Sequence, residues 1–206
     1  MFYEPSKRNH GLPHDPFKAI IAPRPIGWIS SRSAKGEMNL AHSFFNGVSS
    51  DPPIVMFSSE GRKDSLCFVE ETREFVCNLA TWEMRHELNA TSGPFPRGVN
   101  EMVETGLEAS PSILVKVPRV LASPCALECK WLQTVHLKDI EDKHIDRYVV
   151  FGQVVGIHID EQFIKDGILD TAAMRPIARA GYHEYFVGTP ETKVSMRRPK
   201  GGGGDE

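Results

Sequence analysis

Lys63, Asp64 and Ser65 put a cation, an acid and a hydroxyl side by side, just after a strand-like run ending in Ser58 and Ser59. Asp64 or Ser65 is a good helix N-cap, and residues 66–72 read as the short helix behind it. A helix start presents free N–H groups and the positive end of the helix dipole, and both favour phosphate. Lys63 adds charge and Ser65 a donor, although a capped helix start with no ligand explains the same residues. Earlier in the chain Ser30, Ser31, Asn39, His42, Ser43 and Asn46 gather at the ends of two apolar runs. With the backbone of Asn39, Leu40 and Ala41, and with Trp28 and Ile29 as apolar wall, they suit a flat ligand with a polar edge and a phosphate tail. For any one of them, a strand-end group facing water is an equal alternative, and Trp28 reads first as core. Arg179 precedes Ala180 and Gly181, and its guanidinium can reach a phosphate, a partner subunit or a surface carboxylate.

Composition excludes several other functions. The 206 residues are 40% hydrophobic and 25% charged, which fits one globular domain with a full core. A net charge of −3 argues against a general nucleic-acid binder. No apolar run reaches the roughly 20 residues that span a bilayer. The first eight residues lack the apolar segment of a secretory signal, so a cytoplasmic location is expected. Cys67, Cys77, Cys125 and Cys129 read as free thiols, and no metal site is expected from them or from the histidines. There is no nucleophile elbow, no Walker motif and no Gly-x-Gly-x-x-Gly fingerprint.

The elements that must position these residues are mostly strands. Residues 26–31 and 39–45 form a hairpin around the turn at Ala34-Lys35-Gly36. Asp51-Pro52-Pro53 leads into residues 54–59, apolar on both faces. Residues 74–80 alternate Phe75, Cys77 and Leu79 on one face, and Thr81 caps a helix over 82–90. Residues 91–112 are a long connection with one helical turn near 100–105, and residues 113–117 read as a short strand. Residues 126–135 point Leu127, Cys129 and Trp131 inward, a charged turn follows at 139–143, and residues 147–159 make the longest strand. Residues 169–178 read as helical until Pro176. About seven strands and two or three short helices describe an antiparallel sheet closed into a barrel, which removes exposed edges.

Residues 24–31, 39–46, 51–59, 63–65, 74–79 and 179–181, in this order, resemble the flavin reductase-like domain family, over about residues 17 to 187. The resemblance implies a mostly β, antiparallel Greek-key FMN-binding split barrel. It covers residues 17–190, with an extended arm at 1–16 and a flexible tail at 191–206. It implies FMN as cofactor, held by Trp28, Ile29, Ser30, Ser31, Asn39, Leu40, Ala41, His42, Ser43, Ser58, Ser59, Lys63, Asp64, Ser65 and Arg179. It implies hydride transfer from NAD(P)H to FMN, a partner oxygenase or other electron acceptor, and a homodimer. Three positions depart from the family pattern: His42 replaces a proline, Ser65 a threonine, and Arg179-Ala180-Gly181-Tyr182 an Arg-Leu-Gly-Gly run. His42 is therefore the one candidate catalytic residue. The alternatives are an FMN electron carrier without NAD(P)H turnover, and a barrel of this fold that binds haem or another tetrapyrrole.

Overall fold

A computed structural model describes residues 1–197 and 199. The long strands are β1 (Ile26–Arg32), β2 (Met38–Ser50), β3 (Pro53–Glu60), β4 (Glu74–Asn78), β7 (Cys125–Lys138) and β8 (His144–Ile159). They close into a barrel in the order β1-β2-β3-β8-β7-β4, each neighbouring pair antiparallel. Three two-stranded ribbons surround it: β5 (Ala109–Ser110) with β6 (Arg119–Val120), β9 (Ile164–Lys165) with β10 (Ile168–Leu169), and β11 (Ile177–Arg179) with β12 (Tyr185–Val187). The helices are short: α1 (Phe17–Ile20), α2 (Asp64–Thr72), α3 (Arg85–Ala90) and α4 (Glu101–Glu104). Among the described residues no helix is long and apolar enough to cross a membrane.

Alternation fills the barrel. Ile29, Phe57, Phe75, Cys77, Cys129 and Val150 point inward, and Leu66 and Val69 of α2 pack into the same cluster. Phe75 meets Phe57 edge to face, ring centroids 5.3 Å apart. A Cβ at position 152 would stand 2.3 Å from the Phe75 ring, so glycine there lets the ring lie against the opposite strand. The other face of β1 and β2 is covered as well. Trp28 and Leu40 bury against Met84, Leu88, Met102 and Ile177, from α3, α4 and β11 with their flanks. Burial of such side chains is worth about 1.5–3 kcal/mol each, so β1 is fixed from both sides.

Five expectations are corrected. Residues 113–117 are not a strand: their N–H groups turn onto the Glu128 carboxylate, taking Ile113, Leu114 and Val115 out of any ladder. Residues 169–178 are not helical. Their backbone pairs instead with residues 80–82, through Ile177 N–H to the Ala80 carbonyl and Trp82 N–H to the Arg175 carbonyl. That pairing also delays the helix expected from residue 82 until Arg85. β3 is buried on one face only, at Val55, Phe57 and Ser59, because its other face is the outside of the barrel. Finally, neither Asp64 nor Ser65 caps α2; the N-cap is Lys63. The tail expected to be flexible lies partly at Arg198 and residues 200–206, outside the described residues.

Candidate functional site

The turn after β3 delivers Lys63 to the start of α2. Ser59 Oγ donates to the Gly61 carbonyl at 2.8 Å, and Gly61 takes a left-handed φ of +78°. Lys63 is extended (φ −74°, ψ 173°), and no side chain closes the helix end. Its ammonium is exposed beside these open N–H groups. Asp64 is paired with Arg97 at 3.3 Å, and the Arg97 guanidinium lies 5.5 Å from the Phe68 ring centroid. Ser65 is buried, and its Oγ accepts from Asn39 Nδ2 at 2.8 Å. Asn39 Nδ2 also stands 3.5 Å from Ser31 Oγ. Ser31, Asn39 and Ser65 thus form one chain of contacts from β1 through β2 to α2. Accepting from Asn39 leaves the Ser65 hydroxyl proton free to donate.

Other candidate residues are sealed in the protein. Trp28, Ile29, Ser30, Ser31 and Leu40 are fully buried. Trp28 Nε1 donates to Thr91 Oγ1 at 3.0 Å, and Ser30 Oγ accepts from Asn78 Nδ2 at 2.8 Å. The Leu40 N–H is already used: it donates to Glu101 Oε2 at 2.8 Å. Ala41, His42, Ser43, Ser58, Lys63, Asp64 and Arg179 keep exposed surface. His42 and Ser43 stand opposite Trp28 and Gly27 on β1, and Ser58 stands opposite Val149 on β8. Two surface concavities, about 400 and 360 Å³, are lined by residues such as Arg32 and Lys116, and Arg119 and His158. Neither is lined by these candidate residues, which lie on the open surface of the single chain.

Electrostatics separates the groups further. Burial, and then the charge of Arg179, push the His42 imidazole below its ordinary pKa, against a pull upward from the Leu88 carbonyl. His42 Nδ1 is buried with no hydrogen-bond partner. Burial also pushes the Glu101 carboxyl up, helped by Asp64, while the Leu40 N–H and its own N–H pull it down. Arg24, Arg97 and Glu101 were not singled out as site residues from the sequence. Arg24 opens a matched stretch, so it was within reach; Arg97 and Glu101 lie in a long loop, with nothing local to reveal their contacts. His10 and His14 stand four apart, yet His10 packs on Tyr3 and His14 on Tyr182. Among the described residues no three His, Cys, Asp or Glu side chains group to hold a metal.

The chain can now be set beside known proteins. Residues 21–176 match the model of the flavin reductase like domain. An uncharacterized protein of Aquifex aeolicus is 33% identical over 184 residues, 86% of this chain and 90% of that protein. The crystal structure of the 2-nitrobenzoate 2-nitroreductase NbaA of Pseudomonas fluorescens superposes with a TM-score of 0.79 at 25% identity, over 92% of each chain. Nitrilotriacetate monooxygenase component B of Bacillus cereus gives a TM-score of 0.83 at 23% identity, over 97% of this chain and 98% of that one, a likeness of fold. The barrel and the matched residues agree: the chain belongs to the flavin reductase-like domain family.

Proposed function

We propose that this chain binds FMN and acts as an NAD(P)H-dependent FMN oxidoreductase. The observation that carries the reading is the open start of α2, with Lys63 as N-cap and no side chain closing it. Such an end suits a phosphate dianion. Lys63 and the Ser65 hydroxyl would hold the phosphate, with Arg97 neutralising Asp64 beside it. Ser58, Ser43, Ala41 and His42 would face the rest of the flavin, while Trp28, Ile29, Ser30, Ser31, Asn39 and Leu40 support that wall from beneath. FMN, when bound, supplies a two-electron centre that takes hydride at N5. The protein's task is then to bind, orient and exclude water. Reduced flavin or its electrons would pass to a partner oxygenase or other acceptor.

The open surface at these residues also supports a homodimer in which a second copy completes the site. Phe17, Ile20, Phe44 and Val48 are exposed on one chain, and Val149 and Phe151 are half-buried on the outside of the barrel. Contiguous exposed apolar side chains mark contact surfaces, and a two-fold pair is the commonest assembly. Light scattering should report about twice the 23.0 kDa chain mass. For the activity, purified protein should show flavin absorbance, as isolated or after adding FMN, and should oxidise NADH or NADPH. No flavin binding at all would overturn the reading. Full FMN binding with negligible nicotinamide oxidation would make the protein an electron carrier.

A further inference from the structure

Arg24 and Arg179 face each other across an antiparallel bridge, each donating its N–H to the other's carbonyl at 2.9 Å. Like charges directly opposite one another destabilise a sheet. The arginine ion pairs among the described residues are made by Arg62, Arg97, Arg147 and Arg175, and neither bridge arginine takes part in one. Arg24 is only 8% exposed, and its Nε is buried without a partner. Its two terminal nitrogens are used, by the Lys18 and Ala180 carbonyls. This clamps α1 onto the Arg179 strand; a Cβ on Gly181 would meet Ala19 Cβ at 2.7 Å.

The strand register places Arg24, His42 and Phe44 on the same outer face, because His42 stands opposite Trp28 and Phe44 opposite Ile26. The Phe44 ring is 44% exposed, with the Arg24 guanidinium 5.6 Å from its centroid. Arg179 donates one terminal nitrogen to the Tyr182 carbonyl, and its guanidinium lies 4.6 Å from the Tyr185 ring centroid. His42 Nδ1 has no partner. Burial, and then the charge of Arg179, lower the pKa of both Arg24 and His42, in keeping with three basic groups held on one face. Arg179, with N–H groups to spare, thus stands on a cationic face beside an exposed ring, and the pair suits an anion with an apolar body.

We propose that Arg179, Arg24, His42 and Phe44 form a binding site for a small aromatic carboxylate. Arg179 offers its free N–H groups to the carboxylate, Arg24 adds charge from beneath, and Phe44 packs on the ligand ring. His42, whose ring N–H is turned to the Leu88 carbonyl, borders the site and feels the charge placed in it. The site rests on its own geometry and not on the flavin reading, so it is tested without flavin.

Calorimetric titration of the purified chain with benzoate should show binding. Benzamide, its neutral isostere, should bind roughly tenfold or more weakly, since hydrogen bonds to a charged group exceed neutral ones by that order. Inorganic phosphate, anionic but without a ring, should also bind more weakly than benzoate. Arg179→Gln should weaken benzoate roughly tenfold to a hundredfold, and Arg179→Lys should recover part of that. The His42 imidazole, followed by NMR, should titrate at higher pH with benzoate present, and this rise should vanish in Arg179→Gln. Equal binding of benzoate and benzamide, tighter binding of phosphate, or an unchanged Arg179→Gln affinity would overturn the proposal. Should that variant melt, benzoate affinity of the wild type against salt decides: binding that salt does not weaken would also overturn it.

Discussion

Glu128 and Glu101 are both buried, 1% and 7% exposed, yet the fold treats them in opposite ways. Glu128 Oε1 accepts from the Ile113 N–H at 2.8 Å and His158 Nε2 at 2.5 Å, and Oε2 from the Leu114 and Val115 N–H groups at 2.6 and 3.0 Å. Burial pushes its carboxyl up, but these four donors outweigh it and hold the group below the usual carboxylate range. Glu101 has the Leu40 N–H and its own, with Asp64 adding repulsion, and burial wins. The first is a structural anion that pins a loop. The second has fewer donors and an acidic neighbour in Asp64, and is joined through the Leu40 N–H to the strand of Asn39, Leu40 and Ala41. A buried carboxylate with four donors builds the fold, and one with fewer donors and an acidic neighbour stands beside the candidate site.

Breaking the satisfied side should cost most. Glu128→Gln leaves donors facing an amide, and about 2–4 kcal/mol of stability should be lost. For a chain of this size that lowers the melting temperature by roughly 5–15 °C. The pH sign follows from the depressed pKa. The contribution of Glu128 is complete above the unfolded value near 4.3 and is lost as pH falls through the lower folded value. Acid denaturation of the variant should therefore be flatter than that of the wild type. A variant as stable as the wild type at neutral pH would erase the contrast.

On the side of the candidate site, Lys63→Ala tests whether the open helix end is a phosphate site. FMN should bind roughly tenfold to a hundredfold more weakly, with a smaller loss for riboflavin. Equal losses would assign Lys63 to the fold.

Glu101→Gln should change stability by less than about 1 kcal/mol at neutral pH, since a glutamine oxygen still accepts from Leu40. Here the folded pKa is raised. The wild type therefore loses stability as pH rises from the unfolded value through the folded one, and the variant should lose that slope. Denaturation midpoints above and below that window measure it. A loss as large as that of Glu128→Gln would show the two glutamates to be alike.

The smallest effect belongs to His42. Its depressed pKa means that protonation, and any change in flavin reduction linked to it, falls below the ordinary value of about 6.5. The stability tied to neutral His42 is present above that value and lost as pH falls through the folded pKa. His42→Gln should flatten flavin reduction against pH in this range; an unchanged profile would remove His42 from the chemistry.

The sequence by itself determined the strands that alternate, the hairpin at residues 34–36, the charged turn at 139–143 and a short helix starting beside Lys63, though not that its end is uncapped. Each is written in neighbouring residues, through a period of two or a turn signal. The family was readable for the same reason, from short runs in order. Only the tertiary structure decided the rest. Residues 113–117 are strand-like in composition, but Glu128, far along the chain, takes their N–H groups. Ser30 and Ser31 look like ligand groups until helices and Asn78 seal them in. Glu101 reaches Leu40 across 61 residues, and Arg24 meets Arg179 across the closed fold. Local patterns fix which residues alternate. Barrel closure fixes which charges meet and which donors remain unused, because those contacts arise from pairings that no local window contains.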